Sequence, residues 1–185
     1  MKAIETNLLG CFVIEPSVFE DERGYFFESY SQARLEELLG YNPVFVQDNQ
    51  SKSQYGVVRG LHMQIGEHSQ AKLVRVLEGA IIDVTVDVRL GSPTFGQSFS
   101  IELSAENKKQ LFIPRGFLHG FSVVSEQAIF FYKCDNFYNK ESERGVYPLD
   151  KDLAIDWKIT ADKAILSEKD KRAISFAEFK NHLIK

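Results

Sequence analysis

The sequence predicts a mainly β protein: two antiparallel sheets packed face to face as a jelly-roll sandwich or barrel, with a few short peripheral helices. Three observations carry this. From about residue 43 to residue 134, short β-compatible runs follow one another, separated by turns such as Glu78-Gly79, Gly91-Ser92-Pro93-Thr94 and Pro114-Arg115-Gly116. The run Ala80–Arg89 alternates cleanly, with Ile82, Val84, Val86 and Val88 on one face and Asp83, Thr85, Asp87 and Arg89 on the other. The 15 phenylalanines and seven tyrosines suit pleated surfaces that enclose a ligand cavity. At 185 residues the chain is long enough for one sizeable core, and no repeat, low-complexity tract or linker divides it, so residues 1–185 are read as a single domain.

The elements follow in order. Cys11–Phe19 is a strand interrupted by Pro16, and Asp21-Glu22-Arg23-Gly24 is a turn leading to a second strand, Tyr25–Tyr30. Ser31–Gly40 carries the clearest helix signal, with Ser31 as N-cap and Gly40 as the stop. Val44–Asn49 reads as a strand and Gln50–Tyr55 as a polar connection. Gly56–Gln64 is a strand that carries an arginine and a histidine. Further strands are expected at Ala71–Leu77, Ala80–Arg89, Gln97–Leu103, Gln110–Pro114, Gly120–Val124 and Ala128–Cys134. Beyond residue 138 the chain is looser and more charged, with a last short helix at Ser175–Leu183.

Composition narrows the function. Charged residues make up 26% and the formal net charge is −4, so the overall field gives no reason to expect nucleic acid as a partner. The two cysteines, Cys11 and Cys134, have no metal-like spacing, which argues against a disulfide scaffold and for a reducing, cytoplasmic setting. The first residues lack the apolar core of a signal peptide, and no run reaches the length of a membrane span.

Several polar residues occupy strand positions where a plain core would be apolar. In Gly56–Gln64, strand alternation puts His62 on the face of Gly60 and Gln64, opposite Leu61 and Met63. An imidazole there can shuttle a proton near neutrality. Gln47 and Asn49 share a face, Lys72 shares one with Val74 and Val76, Tyr132 shares one with Phe130 and Cys134, and His119 follows the turn at Pro114-Arg115-Gly116. Taken singly, each has a dull explanation as a satisfied polar group or a solvated face. Together they supply a base, a cation, a phenol and a second imidazole, the set required for proton transfer beside a carbonyl. A catalytic metal is not expected. His62-Met63-Gln64 has glutamine where a His-x-His motif needs its second ligand, and His68 is wrongly spaced. Phosphate-loop, dinucleotide and Gly-x-Ser-x-Gly fingerprints are absent.

An ordered set of motifs adds a resemblance. Asp21-Glu22-Arg23-Gly24-Tyr25-Phe26-Phe27-Glu28, Gln47-Asp48-Asn49, Arg59-Gly60-Leu61-His62-Met63-Gln64, Lys72–Val76, Ser92–Gly96, Ile113–Phe121, Tyr132-Lys133 and Leu166–Asp170 resemble the dTDP-4-dehydrorhamnose 3,5-epimerases, metal-free cupin jelly rolls, from about Thr6 to Asp170. The resemblance implies that His62 is the base, Asp170 its orienting carboxylate and Tyr132 the acid on the opposite face. It implies that Lys72 and His119 meet the developing oxyanion. Arg23, Phe26, Glu28, Gln47, Asp48, Asn49, Arg59, Glu143 and Lys169 are then nucleotide-sugar contacts, and Tyr138 the platform for thymine. It further implies no cofactor, a homodimer in which Phe19–Glu28 reaches the partner's site, and a dTDP-linked 4-keto-6-deoxy sugar as substrate.

Two departures stand out: Leu118 in place of a usual alanine, and Tyr147–Lys151 in place of a usual turn over the substrate. Arg59 and His62 lie three residues apart, on opposite faces of a regular strand; a bulge at Gly60 would bring both inward. The rival readings are an epimerase acting at C3 only or C5 only, a sugar 3,4-ketoisomerase, and a sugar-nucleotide-binding module without catalysis.

Overall fold

The computed structural model describes residues 1–183. It is a mostly β jelly roll, as expected. In chain order it contains β1 (Lys2–Glu5), β2 (Phe12–Glu15), β3 (Val18–Asp21), β4 (Gly24–Phe27), α1 (Gln32–Leu39), β5 (Gln47–Gln54), β6 (Val58–Gln64) and β7 (Lys72–Glu78). There follow β8 (Ala80–Asp87), β9 (Ser98–Ser104), β10 (Gln110–Ile113), β11 (Phe117–Val123), β12 (Gln127–Cys134), β13 (Glu143–Gly145), α2 (Glu168–Lys171) and α3 (Phe176–Leu183). One sheet has the order β1-β2-β10-β7-β12-β5, the other β13-β6-β11-β8-β9, and β3 and β4 form a separate hairpin. Every pairing between these strands is antiparallel.

Local chemistry explains the helix at the start. Ser31 Oγ accepts from the Arg34 amide at 3.5 Å, and Gly40, at φ 74°, donates its N–H to the Glu36 carbonyl. A left-handed stop of this kind favours glycine. The strands differ from the sequence reading at several points: β1 and β13 were not expected, Cys11–Phe19 divides into β2 and β3, the second strand ends at Phe27 rather than Tyr30, and β5 and β11 have other bounds. The segment Val44–Asn49 is not a strand as a whole: β5 begins at Gln47 and runs through the polar stretch to Gln54. This is an edge strand, held through its backbone to β12 alone, so its pairing asks little apolar content of its side chains. Strand β11 begins at Phe117 rather than Gly120, and all seven of its residues are buried.

The alternating strand β8 turns its apolar face away from the space between the sheets. Ile82, Val84 and Val86 pack outward with Val58, Leu61, Met63 and Leu118 against Trp157, Phe176 and Phe179 of the C-terminal segment. The polar face, Asp83, Thr85 and Asp87, points inward and is fully buried. Each polar group there is satisfied. Thr85 Oγ1 donates to the Leu118 carbonyl at 3.0 Å, and Asp87 accepts from Arg89, Ser92 and Thr94. Burial opposes the charge on Asp87, yet these donors hold its carboxyl down at about 2. The inter-sheet core proper lies beside them, with Val74, Val76, Ile81, Leu111, Phe121 and Phe130.

The register between β6 and β11 is irregular. His62 pairs with His119, but Arg59 pairs with Phe121, so Gly60 and Leu61 together face Gly120. The slip puts Arg59 and His62 on one face and resolves their parity. It requires two glycines. A Cβ on Gly60, which has φ 135°, would lie 2.6 Å from Gly120 Cα, and one on Gly120 would lie 2.6 Å from the Arg59 carbonyl oxygen. Gly60→Ala is therefore expected to destabilise the protein by about 3 kcal/mol or more, measured by chemical denaturation. A cost under about 1 kcal/mol would show that the approach is not obligatory.

Candidate active site

A cavity of about 640 Å³ opens between the sheets. Register builds one wall. Strand β12 lies between β7 and β5, so its inward residues form rows across the three strands. Cys134 is flanked by Lys72 and Gln47, Tyr132 by Val74 and Asn49, and Phe130 by Val76 and Ser51. On the opposite wall His62, His119 and Thr85 form a row across β6, β11 and β8. Ile165, Leu166, Ser167, Lys169 and Asp170, from α2 and the chain leading into it, close one side.

His62 Nε2 lies 2.6 Å from Asp170 Oδ1. Asp170 is buried in α2, whose N-cap Ser167 accepts from the Asp170 amide at 3.1 Å. Burial works against its charge, but the His62 hydrogen bond prevails and holds the carboxyl below its usual range. A carboxylate accepts only, so Nε2 carries the proton and Nδ1 is left as the basic nitrogen. The second imidazole repeats the arrangement. His119 Nε2 lies 2.9 Å from Asp83 Oδ2, both groups being buried, and burial pushes His119 below its ordinary range despite the aspartate. A neutral His119 bonded to Asp83 through Nε2 has no second proton to give. Donation to an oxyanion from this orientation requires the doubly protonated ring, which Asp83 favours and burial opposes.

Lys72 projects from β7 with its ammonium 5.9 Å from the centre of the Tyr132 ring, and among the described residues its Nζ has no hydrogen-bond partner. Burial lowers its pKa from the ordinary 10.5. Tyr132 is pushed up to about 12, chiefly by burial, so its phenol keeps its proton across the neutral range. At the mouth, Gln47 Nε2 donates to Asn49 Oδ1 at 3.1 Å and Gln47 Oε1 accepts from the Tyr138 amide. The Tyr138 hydroxyl donates to Glu143 at 3.1 Å, and Glu143 pairs with Lys169 at 2.5 Å.

The structure therefore gathers His62, Lys72, His119, Tyr132, Asp170, Asn49, Arg59 and Lys169 around one cavity, with Gln47, Tyr138 and Glu143 joined at its rim. Four expected residues are placed elsewhere. Asp48 shares the outer face of β5 with its register partner Lys133, and the two pair at 2.9 Å, away from Asn49 and Tyr132. Adjacent residues of a strand cannot share a wall. Arg23 pairs with Asp21 at 2.5 Å and its side chain is 86% exposed; Glu28 pairs with Arg34 at 3.0 Å; Phe26 is 71% exposed. These three belong to the β3–β4 hairpin and its exit, outside this chain's cavity.

The two departures from the family pattern also lie off the cavity lining. Leu118 is buried in the outward core, and Tyr147–Lys151 anchors Trp157, whose Nε1 donates to the Pro148 carbonyl at 2.7 Å. Asp83, Ser53 and the apolar lining residues Phe121, Phe130 and Ile165 were not anticipated. The only sequence signal for Asp83 was its place in the middle of a long, regular strand. No group of three or more His, Cys, Asp and Glu is arranged to hold a metal among the described residues, and each cavity histidine pairs with an aspartate of its own.

Fold and cavity together define a class: a jelly-roll protein with a cavity between its sheets lined by titratable side chains. The family model for dTDP-4-dehydrorhamnose 3,5-epimerase matches residues 5–178. The chain belongs to this family and is an isomerase of the epimerase type, as the motifs indicated. It is 48% identical to the Escherichia coli dTDP-4-dehydrorhamnose 3,5-epimerase over 96% of each chain, and 51% identical to that of Pseudomonas aeruginosa over 96% of this chain and 97% of the relative. The solved enzyme from Elizabethkingia anophelis superposes with a TM-score of 0.93 at 61% identity, covering 96% of this chain and 97% of that one. The Legionella pneumophila dTDP-6-deoxy-D-glucose-3,5-epimerase, solved with dTDP-4-keto-L-rhamnose, also gives 0.93, at 49% identity over 98% of this chain and 96% of that one.

The unpaired Lys72 yields a stability test. Below its folded pKa the buried ammonium burdens the native state, whereas the unfolded chain holds that proton up to about the ordinary 10.5. The burden is therefore greatest below the folded pKa and fades as pH rises toward the ordinary 10.5. Lys72→Met should raise stability at pH 7 by on the order of 1 kcal/mol, a figure reduced by screening from cavity water, and the gain should shrink by pH 10. Denaturant titrations at the two pH values read this; a destabilised variant at pH 7 would contradict it.

Proposed function

We propose that the protein inverts C3 and C5 of dTDP-4-dehydro-6-deoxy-D-glucose, giving dTDP-4-dehydro-L-rhamnose for dTDP-rhamnose synthesis. The observation that carries this is the opposition of the His62–Asp170 pair, on one side of the cavity, to the protonated Tyr132 on the other. The 4-keto group acidifies the hydrogens on both neighbouring carbons. His62 Nδ1 takes one of them, and the electron pair of the broken C–H bond moves onto the ketone oxygen as an enolate. The Lys72 ammonium, which has no hydrogen-bond partner among the described residues, stabilises that charge from the cavity wall. As the enolate collapses back to the ketone, Tyr132 delivers a proton to the opposite face of the same carbon, and the centre is inverted. Exchange with solvent resets both groups, so the reaction is a net isomerisation. Arg59 and Lys169 supply positive charge for the diphosphate, and the Tyr138 ring, 54% exposed at the rim, offers a stacking surface for thymine.

The reading extends to assembly and location. The β3–β4 hairpin presents Phe19, Tyr25 and Phe26 to solvent beside Arg23, which suits a homodimer in which this arm serves the neighbouring cavity. A monomer by sedimentation at micromolar concentration would contradict it. The setting proposed is the cytoplasm; no helix among the described residues is long and apolar enough to cross a membrane.

The test is proton NMR of the keto sugar in D2O. The wild type should exchange and invert both centres; exchange at C3 or C5 alone would identify a single-centre epimerase, and none a binding module. His62→Ala should abolish exchange at both carbons. Tyr132→Phe should keep exchange, because His62 can return deuterium to the face it deprotonates, while inversion falls by about 10²–10⁴-fold. An unchanged ratio of exchange to inversion would remove Tyr132 from the acid role.

A further inference from the structure

We propose that Ser53 is a positioning residue: its hydroxyl holds the Arg59 guanidinium so that the two terminal amino groups face the cavity and grip a diphosphate end-on. The proposal rests on the functional reading above for the identity of the anion, and on geometry for the rest. Ser53 lies on β5, on the face it shares with Gln47, Asn49 and Ser51, and is only 7% exposed. Past Gln54 the chain turns, with the Val57 amide donating to the Gln54 carbonyl and the Gly56 amide to that of Val123, and enters the opposite sheet as β6. Arg59 is thus six residues from Ser53 yet in the other sheet. Its Nε donates to Ser53 Oγ at 3.0 Å, bridging the corner where one wall of the cavity becomes the other.

Arginine presents five N–H groups in a rigid plane and can meet an oxyanion along either of two edges, Nε with one terminal nitrogen or the two terminal nitrogens together. Ser53 occupies Nε, which leaves the second edge. Among the described residues the terminal nitrogens have no hydrogen-bond partner, and Arg59 lines the cavity. A free arginine on a surface loses considerable rotamer freedom when it binds. One tethered through Nε has already lost part of it, so the hydroxyl acts on affinity without touching the ligand.

The probe is dTDP, measured by calorimetry, with steady-state kinetics on the keto sugar alongside. Ser53→Ala should weaken dTDP binding about tenfold and raise KM similarly, with kcat unchanged to within about twofold. Ser53→Thr, which keeps the hydroxyl, should bind within about threefold of wild type. In an Arg59→Ala background, Ser53→Ala should add nothing further, as expected when one residue acts only through the other. Wild-type affinity in Ser53→Ala would overturn the proposal. So would an equal loss in the Arg59→Ala background, which would place Ser53 on the ligand or in the fold. Wild-type protein that fails to bind dTDP would instead overturn the functional reading.

Discussion

The active cavity depends on how closely two strands approach at Gly60 and Gly120. A Cβ on either glycine would fall well inside contact distance of the other strand's backbone. That approach lets Gly60 and Leu61 together oppose one residue of β11, and the resulting slip turns Arg59 to the side of His62. Without it, a regular β6 would give the cavity an imidazole or a guanidinium, but not both. The imidazole and the guanidinium of the cavity thus come from one strand, separated by a local irregularity that neither side chain contributes to directly. The outward packing of β6 is part of the same constraint. Leu61 and Met63 bury against the C-terminal segment, and that burial fixes which face of the strand looks inward.

Charge is distributed with similar economy. The two carboxylates nearest the cavity are each committed to a histidine, Asp170 to His62 and Asp83 to His119. Neither forms a hydrogen bond to Lys72, whose ammonium is thereby left, in the proposed reaction, for a charge that develops on the sugar. The same burial that lowers Lys72 raises Tyr132, so a cation that loses its proton more easily stands beside a phenol that holds its proton more tightly. The Lys72 shift is a cost to the folded state below pH 10.5, whereas the Tyr132 shift costs nothing until about pH 10, where the unfolded phenol begins to ionise.

Much of this was legible in the sequence because alternation and turns leave a clear trace. The helix at Gln32–Leu39 followed from Ser31 and Gly40, and the parity conflict between Arg59 and His62 pointed to the irregularity at Gly60. What was not legible has physical reasons. Strand β5 is polar because one face meets solvent and the other a cavity, so it lacks the apolar content by which strands are recognised. Asp83 reads as a surface residue of an amphipathic strand; only the tertiary arrangement shows that the polar face is the inner one. Asp48 stands between Gln47 and Asn49 in one sequence motif, but the pleat turns adjacent residues to opposite faces and pairs it with Lys133. The pairing of His62 with Asp170 spans 108 residues, and no local spacing encodes it; it came from the family resemblance.

The central claim is that base and acid lie on opposite faces of the sugar ring. A crystal structure of the His62→Asn variant with dTDP-4-dehydro-6-deoxy-D-glucose tests it most directly. The account predicts the ring lying between the two walls, residue 62 within about 3.5 Å of one face at C3 or C5, the Tyr132 hydroxyl against the other, and the C4 oxygen toward Lys72. A ring with both side chains on one face, or with the C4 oxygen turned away from Lys72, would contradict it.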